Sequence, residues 1–140
     1  MKSKYEKFLA GLRLRHFSPQ EITSYANQLR GGVRNGLPPE ELWPNIVPTL
    51  WVVDHLRGAL GKPITLTSIY RSPFYNEAVG GAPRSQHKRN AAIDFQIRGA
   101  TPLLARNRLV KLRQAGMFKG GIGLYSTFVH VDTRGRNATW

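Results

Sequence analysis

Apolar positions fall into two regimes along the chain. In the first half, Leu50, Val53, Leu56 and Leu60 recur three or four residues apart, which predicts a helix from about Asn45 that stops at Gly61. Pro48 is tolerable in its first turn, where the missing N–H has no helical partner to lose. Upstream, Ser18-Pro19-Gln20-Glu21 supplies an N-cap hydroxyl, a proline at N1 and a glutamate at N3. That capping box predicts a helix running to about Arg30 and ending at Gly31-Gly32. Residues 1–17 read as a basic arm or helix. After Pro63 the period changes to two: Ile64–Tyr70, Ala92–Ile97, Gly120–Tyr125 and Phe128–Thr133 alternate and carry β-branched residues, so each predicts a strand. The last two are close enough to be joined by a tight turn. Residues 72–90 read as loop and short helix, and Thr101-Pro102 opens a further helix through Ala105, Leu109 and Leu112 that Gly116 ends. Helices first and strands later predict an α+β fold, a mostly antiparallel sheet flanked by helices, with residues 1–140 forming one domain. Trp43 and Trp51 are expected in the core.

Composition narrows the chemistry. Without cysteine, disulfides, thiolate metal sites and thiol catalysis are excluded, and a transition metal would need nitrogen and oxygen ligands from four histidines and eight carboxylates. The net charge of +13 favours polyanions, including acidic wall polymers, but its 21 Lys and Arg are dispersed. No zinc finger or base-reading basic helix accompanies them, so specific nucleic-acid binding is not expected. No stretch approaches the roughly 20 apolar residues of a membrane span. Phe8-Leu9-Ala10 after the basic Met1–Lys7 is too short for a signal core, so synthesis in a cytoplasm without a signal peptide is expected.

Only three carboxylates follow residue 60: Glu77, Asp94 and Asp132. Two of them lie in predicted strands, where acidic residues are depleted. His130 and Asp132, two apart on one strand, face the same side. A His and an Asp on a core-like strand need partners, because a buried charge must be paired or bound to metal. His87 leaves a loop seven residues before Asp94, and a turn at Asn90 lets the two converge. With His130 from a neighbouring strand they form a His/Asp/His set, the pattern of a catalytic zinc site that leaves a fourth position open.

Ser85-Gln86-His87 through Asp94 resembles the Ser-x-His-x-x-Gly-x-Ala-x-Asp motif of the zinc D-alanyl-D-alanine carboxypeptidase/dipeptidase family, peptidases of the M15 type, which share their fold with the Hedgehog signalling domain. Ile69-Tyr70-Arg71-Ser72-Pro73 with Tyr75-Asn76, and Gly121-Ile122-Gly123 with Phe128–Asp132, agree with it. The likeness covers about residues 43–136. It implies one zinc ion per chain on His87, Asp94 and His130, with Arg71 and Ser85 meeting the substrate. The implied function is hydrolysis of peptidoglycan peptides, as a D,D-carboxypeptidase or an endopeptidase, by a monomer acting on the wall after release. Many members are phage or bacterial lysis enzymes without signal peptides, so a phage-type endolysin fits.

Two departures stand out. Asn90 replaces the motif's glycine. No glutamate precedes the last histidine, where members of the family place their general base. Asp132 is the expected base by elimination, with Glu77 second; Asp132 could instead orient His130 from behind, as carboxylates do for metal-bound imidazoles. The missing glutamate also supports an alternative: a zinc-bearing binding module of the same fold without activity.

Overall fold

A computed structural model describes residues 3–140; Met1 and Lys2 of the expected basic arm lie outside them. Helix α1 (Lys4–Gly11) starts at the Ser3 cap, and α2 (Pro19–Thr23) at Ser18, whose hydroxyl and Glu21 form the expected capping box. The helix does not reach Arg30. It ends at Thr23, and β1 (Leu29–Arg30) pairs instead with β2 (Val33–Arg34) in a hairpin. Gly31 and Gly32 decide this: both take positive φ, 55° and 76°. Two such residues in a row make the tight turn whose twist suits a hairpin. A 3-10 helix (Glu40–Ile46) leads into α3 (Val47–Leu60), which stops where Gly61 turns left-handed.

The main sheet has five strands: β3 (Ile64–Ser68), β4 (Ala92–Ile97), β5 (Gly121–Leu124), β6 (Val129–Asp132) and β7 (Ala138–Thr139). Their spatial order is β3-β4-β6-β5-β7, antiparallel throughout except for the parallel β5–β7 pair. This is the mostly antiparallel α+β arrangement that the sequence predicts. Helix α4 (Pro73–Ala78) and a 3-10 helix (Gln86–Arg89) sit between β3 and β4, and α5 (Pro102–Gln114) follows β4 from its Thr101 cap.

The sheet has two different faces. Ile93 pairs with Val131 and Phe95 with Val129 across β4 and β6, and all four are buried against Leu50, Val53 and Leu56 of α3 and Leu109 of α5 in one apolar cluster. Alternate residues point the other way. There the register sets Ala92 opposite Asp132 and Asp94 opposite His130. One strand pair therefore serves as core on one side and carries the polar groups on the other. Trp43 packs on Tyr5 and Phe8 at the edge of this core. Trp51 does not join it: on the outer side of α3 it is 56% exposed.

The core face holds the site face in register, so a core deletion should be felt at both. Ile93→Ala, at a fully buried position, is expected to cost about 2–5 kcal/mol by the usual large-to-small cavity effect. Urea unfolding at neutral pH measures it, and a loss below about 1 kcal/mol would contradict the packing described.

Candidate metal centre

Three side-chain hydrogen bonds and one left-handed residue bring His87 to the sheet. The Ser85 hydroxyl accepts from His87 N–H at 3.2 Å and starts the 3-10 turn. Asn90 ends it in the left-handed region, φ 58°, which explains why glycine or asparagine suits that position. The Asn90 amide donates to Leu42 O at 3.0 Å, fixing the turn against the preceding segment. His87 Nδ1 lies 2.6 Å from Ile69 O, so the ring donates there and turns Nε2 towards Asp94. That Nε2 is buried, 3.1 Å from Asp94 Oδ1, yet without hydrogen-bond geometry to any described group.

His130 Nδ1 reaches the same oxygen, Asp94 Oδ1, at 2.8 Å. One ligand atom from each of His87, Asp94 and His130 lies within 4.8 Å of the others, and all three residues are buried. Ligands at about 2.0–2.2 Å around a tetrahedral ion sit roughly 3.4 Å apart, so little movement would seat one. A nitrogen-oxygen-nitrogen donor set suits zinc, and the orphaned Nε2 of His87 is the lone pair that such an ion would use. The residues fit a metal.

Asp132 sits behind His130. Its Oδ2 is 2.8 Å from His130 Nε2, and Arg134 donates to both of its oxygens, Nε to Oδ1 at 2.9 Å and Nη2 to Oδ2 at 2.7 Å. Gly121 N–H adds a further donor to Oδ1 at 2.9 Å. Asp132 is fully buried. Arg71 spans from Ser68 Oγ (3.1 Å) and Asn76 Oδ1 (3.3 Å) to Asp94 Oδ2 (3.4 Å). Its acidic neighbour is thus Asp94, not Glu77.

Electrostatics follow these contacts. Burial pushes His87 below its ordinary value, and Asp94 only partly offsets it. Burial also acts against charge on His130, but its bonds to Asp132 and Asp94 outweigh it and the value rises. Burial alone would raise Asp94 and Asp132; the two imidazoles around Asp94, and His130, Arg134 and Gly121 N–H around Asp132, hold both well below the usual carboxylate range.

A cleft of about 500 Å³ opens over this centre, bordered by Arg71, Arg84, Ser85, Gln86, Tyr125 and Trp140 besides the three buried groups. Neither Asp132 nor Glu77 borders it. Asp132 is screened by His130, and Glu77 borders a separate depression with Pro73, Phe74 and Lys88. Among the described residues, Asp94 is the one carboxylate on the cleft wall. A second depression, with Gln28, Arg30, Thr67 and Tyr75, adjoins it; Arg71, Val79, Asp94 and Phe128 border both. Sequence reasoning missed Trp140, whose ring centre is 5.1 Å from that of His130. The signal was the glycine pair of β5: a Cβ on Gly123 would meet the indole at 2.5 Å.

The family model described as peptidase M15 matches residues 15–132. The chain belongs to the peptidase M15 family. M15 relatives include the peptidoglycan L,D-endopeptidase MepK of Escherichia coli strain K12, 38% identical over 87 residues, which are 56% of this chain and 45% of that protein. The probable peptidoglycan L,D-endopeptidase MepK of Haemophilus influenzae is 32% identical over 104 residues, 69% of this chain and 53% of its own length. The chain thus spans about half the length of the curated relatives it matches. Arg134 and Trp140 lie beyond the segment that the M15 model matches.

Asp132 gains stability from its donors only while ionised. Arg134→Met removes the two-point donor and should cost about 1.5–3 kcal/mol at neutral pH, the range for hydrogen bonds to a charged group. Because the folded-state value is depressed, the difference from wild type should be full above the unfolded value of about 4 and shrink as pH falls below it. Denaturation at pH 7 and pH 3 tests this; equal stability of variant and parent at pH 7 would refute it.

Proposed function

We propose that the protein is a zinc-dependent endopeptidase acting on peptides of the bacterial cell wall. The observation that carries the reading is the shared focus of His87 Nε2, Asp94 Oδ1 and His130 Nδ1 at the base of an open cleft. These three would hold one zinc ion. When bound, it supplies Lewis acidity to polarise a carbonyl and to activate water. The kinship with M15 peptidases and the substrate named for MepK support peptidoglycan as the polymer attacked. Such a substrate puts the site of action outside the cytoplasm.

The side chains divide the remaining work. Asp132 accepts from His130 Nε2 and thereby fixes ring orientation and tautomer, leaving Nδ1 for the ion; this is the orienting role, not that of the base. Both of its oxygens are hydrogen-bonded, and Asp132 does not border the cleft. Arg71 holds Asp94 and borders the cleft, where its charge can stabilise a substrate carbonyl or carboxylate. Ser85 shapes the turn that carries His87 and borders the same space. Asp94 borders two adjoining depressions, so a chain has room to continue past the centre, which supports cleavage within a cross-linked peptide over removal of a terminal residue. The absence of a second carboxylate on the described cleft wall favours one other reading, a zinc-bearing module that binds wall peptides without cutting them.

Two experiments test the proposal. Metal analysis of purified protein should find about one zinc per chain. His87→Ala, Asp94→Ala and His130→Ala should each lose it, and Asp132→Asn should weaken affinity about 10- to 100-fold. Full occupancy in all three alanine variants would sink the site. For the reaction, cross-linked muropeptides blocked at their free termini should be cut, and chelator should stop the cutting. Cleavage confined to unblocked ends would mean an exopeptidase. Zinc-loaded protein that binds muropeptides and never cuts them would favour the binding module.

A further inference from the structure

The cleft wall formed by Tyr125 and Trp140 is more ordered than a surface of aromatics needs to be. Trp140 follows β7, which is pinned beside β5 by parallel pairing of Ala138 with Gly121 and Thr139 with Ile122. Trp140 N–H bonds Ile122 O at 3.0 Å, and Trp140 O accepts from Leu124 N–H at 2.8 Å. Arg113 of α5 reinforces the strand from outside, donating to Gly120 O, Ala138 O and Thr139 Oγ1 at 2.6–2.9 Å. The indole then lies over Gly123, where no Cβ fits, with the Arg134 guanidinium 5.4 Å from the ring centre.

The indole Nε1–H donates to Tyr125 Oη at 2.9 Å. An indole nitrogen can only donate, so the phenol oxygen must be the acceptor. The phenol's own proton is therefore not used in that bond, and no described side chain or backbone group accepts it. Tyr125 is itself fixed by stacking on Phe128, with centroids 4.3 Å apart and planes 5° from parallel. Both rings stay open to the cleft, Tyr125 at 41% and Trp140 at 46% exposure. A large apolar face and an aimed, unspent O–H stand together on the metal-centre cleft.

We infer that Tyr125 and Trp140 are a substrate-holding wall: Trp140 covers the apolar side of the bound wall peptide, and Tyr125 donates its phenolic proton to a peptide carbonyl. This rests on the cell-wall reading above and adds the residues that grip the substrate. Neither makes nor breaks a bond; the pair positions the chain. Being anchored before the substrate arrives, it loses little freedom on binding. The two act as one device, since Trp140 sets where the phenol points.

Tyr125→Phe removes one oxygen from a half-exposed ring and leaves the fold no reason to fail. Trp140→Phe keeps an aromatic face but loses the N–H. Binding of an uncross-linked disaccharide-tetrapeptide muropeptide to zinc-loaded protein is measured by calorimetry, together with KM and kcat on cross-linked muropeptides. Each variant should weaken binding and raise KM about 3- to 10-fold, the worth of one hydrogen bond. The metal content and kcat should stay near wild type. The double variant should lose less than the product of the single losses. Wild-type binding and KM in both single variants would overturn the wall while leaving the enzyme reading intact. A wild-type protein that neither binds nor cuts muropeptides would overturn both.

Discussion

Everything at the site depends on keeping a row of buried charges paired. Taking a carboxylate out of water is costly unless hydrogen bonds or opposite charge replace the solvent. The structure meets that condition by sequence: Arg134 and Gly121 N–H satisfy Asp132, Asp132 satisfies His130 Nε2, and His130 Nδ1 meets Asp94 from one side while Arg71 meets it from the other. His87 closes the row, with Nδ1 spent on Ile69 O and Nε2 left over. Removing any member exposes the next to an unpaired charge. The row is therefore both a stabilising network and a device that fixes which nitrogen of each ring faces the centre.

That row needs a sheet face free of bulk, and the glycines of β5 provide it. Gly123 pairs with His130, and a Cβ on Gly121 would fall 2.5 Å from Asp132 Oδ2. Side chains at these positions would push Arg134 and Trp140 off the centre. Between them Ile122 points the other way, into the core beside Val131. The Gly-Ile-Gly stretch thus balances two demands on one strand, an empty polar face and a filled apolar one.

Much of this was legible in the sequence because it lies in alternation. A period of two in Ala92–Ile97 and Phe128–Thr133 announced the strands and placed Asp94, His130 and Asp132 where charges are out of place. Relations set by distance were not legible. Period two puts His130 and Asp132 on one face but does not say that Oδ2 would lie 2.8 Å from Nε2 while Nδ1 of the same ring meets Asp94. Arg71 has Glu77 near in sequence and Asp94 near in space. The expectation of a helix to Arg30 fails because capping signals locate a start better than an end, and a Gly-Gly pair marks a hairpin turn as readily as a helix stop. Strand β7 has two residues, too few for any pattern, so Trp140 could not be connected to His130.

Charge acts here on two separate scales. Of 21 Lys and Arg side chains, Arg57, Arg71 and Arg134 are the ones in ion pairs with carboxylates among the described residues. Of these, Arg71 and Arg134 serve the buried row, where low dielectric makes pairing strong and salt has little access. The other described cations are exposed or partly so, and in solvent their fields fade over about 8–10 Å at physiological ionic strength. They can gather a polyanionic surface towards the protein but cannot orient a bond for cleavage. Orientation of any bound molecule has to come from short-range groups on the cleft itself, where Arg71, Tyr125 and Trp140 stand, and not from a net charge of +13.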